Sequence, residues 1–134
     1  MYYLMLDDER TIAKIKELNK FFGHLENVDW VLVKNYNEFC NIIKSKGVPE
    51  FVSFDHDLAD EHRRPSMYNS DKHYSNYYTD GTFKEKTGYE CARFLIEYCD
   101  ENKLDFPEYS VHSMNPIGKL NIISIIESYK KSKL

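Results

Sequence analysis

Four short apolar runs separated by helically spaced stretches constrain this chain more than any other feature. The runs are Tyr2–Leu6, Trp30–Val33, Phe51–Phe54 and Tyr109–Val111. Each is continuous rather than alternating and rich in aromatic or β-branched residues, as expected of strands covered on both faces. Ile12, Ile15, Leu18 and Phe22 place a helix over Thr11 to Phe22, with Gly23 as its stop. Asn35 with Glu38 reads as the start of a helix running through Phe39, Ile42 and Ile43 to Gly47. Thr87 with Glu90 repeats that signal ahead of Ala92, Leu95, Ile96 and Cys99, and Asn115-Pro116 opens a last helix reaching about Tyr129. Strand followed by helix, four times over, predicts a doubly wound, three-layer α/β/α domain with about four parallel strands in the order 2-1-3-4.

A length of 134 residues suits one domain over 1–134, large enough to bury a core without a metal staple or disulfides. Cys40, Cys91 and Cys99 show no metal-ligand spacing and lie in helical stretches, where small apolar filler is the expected role. Neither a signal peptide nor a membrane-length apolar stretch is visible, so a cytoplasmic protein with no membrane partner is expected. With 18 basic and 22 acidic residues the net charge is −4, which disfavours long double-stranded nucleic acid as a partner. It does not disfavour a small phosphorylated ligand. Residues 59–86, an insertion after the third strand with Pro65, Gly81 and Tyr68, Tyr74, Tyr77 and Tyr78, break the rhythm. A stretch of this kind is either a lid that touches substrate or an incidental insertion.

Ligands of such sheets sit beyond the carboxyl ends of the strands. There the first strand leads into Asp7-Asp8-Glu9-Arg10, the third into Asp55-His56-Asp57, and the fourth into His112-Ser113-Met114-Asn115-Pro116. Only the second, expected at the sheet edge, ends blandly in Lys34-Asn35. One of Asp7 and Asp8 is expected to cap the first helix, and one of Asp55 and Asp57 to face the pocket while the other orients a neighbour. His24, His62 and His73 have no comparable context.

Carboxylates from Asp7, Asp8 and Asp55 offer oxygen ligands to Mg²⁺ or another divalent metal, and no organic cofactor is indicated. His56 and His112 titrate near neutrality, so one is expected to take a proton from water and the other to give one to a leaving oxygen. The start of the last helix, with Ser113, Asn115 and Gly118, suits an anion, and Lys119 and Arg10 add cations nearby. Asp57 and Thr87 are expected in supporting roles. Together these groups describe a phosphate ester attacked by water.

Leu6-Asp7-Asp8-Glu9-Arg10, Ser53-Phe54-Asp55-His56-Asp57-Leu58, Thr87-Gly88-Tyr89-Glu90 and the run from His112 to Ile122 resemble the cyclic-phosphate processing receiver-like family. The resemblance implies a flavodoxin-like receiver fold and hydrolysis of a cyclic phosphate, at an RNA 2′,3′ end or in a cyclic nucleotide. More distantly the chain is similar to response-regulator receivers, in which Asp7, Asp8 and Asp55 would bind Mg²⁺ and accept a phosphoryl group. A His after Asp55, another at the fourth strand end, and no fifth strand favour turnover over a stable phosphoryl switch. The alternative is a module that binds a nucleotide or accepts a phosphoryl group without hydrolysis. Oligomeric state is not legible in the sequence.

Overall fold

The computed structural model describes residues 2–8, 29–58, 86–113 and 115–134. Four strands, β1 (Tyr3–Leu6), β2 (Trp30–Val33), β3 (Phe51–Phe54) and β4 (Glu108–Val111), form one parallel sheet in the order β2-β1-β3-β4. This is the expected receiver-like arrangement, with strand ends within one residue of those expected. The helices are α1 (Tyr36–Lys46), α2 (Gly88–Glu101) and α3 (Pro116–Ser132). The helix expected over Thr11 to Phe22 and nearly all of the insertion lie outside the described residues, and α3 runs a little past the expected Tyr129. Among the described residues no helix is long and apolar enough to cross a membrane.

Each helix starts where its cap chemistry dictates. Asn35 Oδ1 accepts the Glu38 N–H at 2.9 Å, and Glu38 Oε1 accepts the Lys34 N–H at 2.9 Å, a reciprocal arrangement that satisfies two orphan donors. Thr87 Oγ1 accepts the Tyr89 N–H at 3.2 Å and donates to Glu90 Oε2 at 3.0 Å. Asn115 Oδ1 accepts the Gly118 N–H at 3.0 Å, with Pro116 in the first turn. Helix α1 ends at Gly47, whose φ of 85° lies in the region that favours glycine, and its N–H donates to Ile43 O at 2.9 Å.

One sheet face meets all three described helices. Leu4, Leu6, Val33, Val52, Phe54 and Val111 pack there with Phe39 and Ile43 of α1, Ala92 and Leu95 of α2, and Ile122 and Ile126 of α3. Helix α2 lies between α1 and α3. The opposite face carries an aromatic row in register, Tyr3 with Trp30 and Phe51, at centroid distances of 5.4 and 5.7 Å. Met5 on that face is fully buried, so burial of β1 is not confined to the side of the described helices. The three cysteines are buried thiols, as expected.

Leu95 is fully buried at the centre of this packing. Leu95→Ala is expected to lower unfolding free energy by about 2–5 kcal/mol, measured by chemical denaturation. Burial pushes the Glu90 carboxyl above the ordinary range, opposed by the Thr87 hydroxyl, backbone hydrogen bonding and the charges of His56 and Lys86. The folded chain therefore holds this proton more tightly than the unfolded chain. The stability this group contributes is full in acid and is lost as pH rises through its raised folded value. Glu90→Gln removes that slope, so its stability relative to wild type should improve as pH rises from the ordinary carboxylate range through that raised folded value.

Candidate active site

Strand register decides which polar side chains meet. Met5 pairs with Ser53 and Ser53 with Ser110, so these three residues occupy one level of one face. The ladder continues past the strand ends: Asp7 N–H donates to Val33 O, Asp55 N–H to Leu6 O, and His112 N–H to Phe54 O, at 2.9–3.1 Å. Side chains two residues further on return to the same face. The next level therefore holds Asp7, Asp55 and His112.

The side chains bear this out. One ligand atom each from Asp7, Asp55 and His112 lies within 4.8 Å of the others. His112 Nε2 is 3.0 Å from Asp7 Oδ2, and Nδ1 is 2.6 Å from Ser53 Oγ, which in turn is 3.0 Å from Ser110 Oγ. The imidazole is thus held at both nitrogens, by a carboxylate on one side and by a chain of two hydroxyls on the other. Ser53 and Ser110 carried no assigned role in the sequence. The signal that finds them is their register, two residues before Asp55 and His112.

His56 falls on the other parity, with Phe54, and goes to the helix side. Its side chain is fully buried, whereas that of His112 is 15% exposed. His56 Nδ1 lies 2.8 Å from Asp57 Oδ1, which also accepts the Asn115 amide N–H at 3.0 Å. Two glycines make room for this loop. A Cβ on Gly118 would lie 2.3 Å from His56 Cγ, and one on Gly88 would lie 1.9 Å from the Asp55 carbonyl oxygen. Gly88 N–H also donates to His56 O at 2.8 Å. The Asp55–Asp57 loop is therefore gripped between the N-termini of α2 and α3, with the Asp57 carboxylate tied to Asn115 at the start of α3.

This placement corrects three expectations. His56 is a buried support rather than a group open to substrate, because its ring packs beneath the first turn of α3. Asn115 is 1% exposed, with its amide shared between Asp57 and Gly118, so it is not a phosphate donor. Gly118 N–H is likewise spent on Asn115. Asp57 Oδ1 contacts His56 and Asn115, and buried Thr87 caps α2. Ser113 is half-buried and its Oγ accepts the Asn115 N–H at 3.1 Å. Lys119 is exposed on α3, Asp8 is half-buried next to Asp7, and Arg10 lies outside the described residues.

At an open helix position Gly→Ala would raise stability by about 1 kcal/mol. Gly118→Ala is expected to do the opposite, costing at least about 2 kcal/mol, because the fully buried His56 ring has no room to yield. Thermal or denaturant unfolding measures the sign.

Comparison with known proteins agrees with this architecture. The family model of the cyclic-phosphate processing receiver domain matches residues 2–128, which takes in all four strands and almost all of α3. Comparisons with curated proteins and with solved structures gave no match. The chain belongs to the cyclic-phosphate processing receiver domain family.

Proposed function

We propose that this domain hydrolyses a cyclic phosphate, opening the ring of an RNA 2′,3′-cyclic end or of a cyclic nucleotide to a phosphomonoester. The observation that carries this reading is the in-register cluster of Asp7, Asp55 and His112 at the carboxyl edge of the sheet, in a family described by cyclic-phosphate processing. Water attacks phosphorus, the bond from phosphorus to one ring oxygen breaks, and a proton passes from the water to that oxygen. The cluster accepts the proton from water and returns one to the leaving oxygen. Of the two histidines, His112 belongs to this centre, since it is the one that reaches the surface. His56 is a positioning residue that holds Asp57 and, through the loop, Asp55. Ser113, Lys119 and Arg10 are the candidates for phosphoryl contact.

The carboxylates of Asp7 and Asp55, with Asp8 beside them in the chain, fit a divalent cation by their donor chemistry. Bound there, it would offset phosphoryl charge that an acidic cleft otherwise repels. The partner is a small phosphorylated ligand or an RNA end.

A panel of cyclic phosphates with product analysis, run with and without divalent metal, tests the proposal. Asp55→Ala and His112→Ala are each expected to lower turnover at least about 100-fold. Wild-type turnover in both variants would end this reading. A ligand bound tightly but recovered intact would assign the cleft to binding instead.

A further inference from the structure

The cluster of Asp7, Asp55 and His112 differs from the all-carboxylate set of a receiver in one donor: an imidazole nitrogen joins two carboxylates. Nε2 and Asp7 Oδ2 are 3.0 Å apart, a separation that suits an Nε2–H hydrogen bond in the metal-free protein and equally two donors sharing one cation. Adjacent donors on a six-coordinate ion with bonds of about 2.1 Å stand about 3 Å apart, which matches. The far side of the ring has the support a metal-bound imidazole uses. Ser53 is 3% exposed, and its Oγ lies 2.6 Å from Nδ1 with Ser110 Oγ behind it. When Nδ1–H donates to Ser53 and the Ser53 hydroxyl donates to Ser110, Nε2 is left with its lone pair directed at the carboxylate. Mg²⁺ and Ca²⁺ take oxygen donors, whereas Mn²⁺, Fe²⁺, Co²⁺ and Zn²⁺ accept imidazole.

We infer that Asp7, Asp55 and His112 bind one divalent transition-metal ion, with His112 Nε2 as a ligand and Ser53 as the residue that fixes its tautomer. This inference rests on the reading that the cluster is the reacting centre. It specifies that His112 acts there as a ligand.

The probe is Mn²⁺, titrated into the full chain and followed by the EPR signal of the free ion, with circular dichroism confirming that each variant is folded. Wild type is expected to bind one Mn²⁺ more tightly than Mg²⁺. His112→Gln and Ser53→Ala are each expected to weaken Mn²⁺ binding about 10- to 100-fold, with Mg²⁺ affinity nearly unchanged. Pulsed EPR of Mn²⁺-loaded wild type needs no variant and should show nitrogen coupling from a coordinated imidazole. Mn²⁺ affinity unaffected by His112→Gln, or couplings from oxygen ligands alone, would each overturn the site. Hydrolysis persisting in chelator without Mn²⁺ uptake would overturn the site and leave the hydrolytic proposal standing. Imidazole-bound Mn²⁺ with no hydrolysis of any cyclic phosphate would support the site and remove the hydrolytic proposal.

Discussion

Parallel pairing of β1, β3 and β4 in one register is the constraint from which the site follows. Three residues far apart in the chain, Met5, Ser53 and Ser110, share a level, and the pleat repeats every second residue. Nothing in the loops has to bring Asp7, Asp55 and His112 together, because the backbone ladder does so before any loop is placed. A rigid sheet also fixes the distances between them more closely than three loops would, which suits chemistry sensitive to fractions of an ångström.

The opposite parity does a different job. Phe54 and Val111 point to the helices and belong to the core, and His56 continues that row into the seam beneath α2 and α3. One short segment thus faces two ways. Asp55 belongs to the reacting face, while His56 and Asp57 tie the loop to two helix starts. The tie is a buried ion pair or neutral hydrogen bond with a further donor from Asn115, so removing one member leaves the others buried without their partner. His56 and His112 follow adjacent strands, yet parity sends them to opposite faces of the sheet.

Much of this was legible in the sequence. The continuous apolar runs, the caps at Asn35, Thr87 and Asn115, and the polar strand ends gave the fold and the edge at which the site lies. The division of labour was not legible, because it depends on which residue pairs with which. The run from His112 to Ile122 reads as a phosphate loop when seen as a string. In three dimensions its Asn115 and Gly118 turn inward to hold His56 and Asp57. Ser53 and Ser110 look like ordinary strand residues until the register sets them behind an imidazole. Gly88 reads as a poor helix residue, and only the Asp55 carbonyl against it explains why a side chain is excluded.

The buried thiols also bear on how the protein handles metals. Burial pushes the Cys40 and Cys91 thiols up and that of Cys99 to about 11, so none supplies thiolate at neutral pH. Those three are all the cysteines in the chain. Soft ions such as Cu(I), which in many proteins are captured by exposed sulfur, therefore find no thiolate trap here. Any contact between this chain and divalent ions is therefore a matter for its oxygen and imidazole donors.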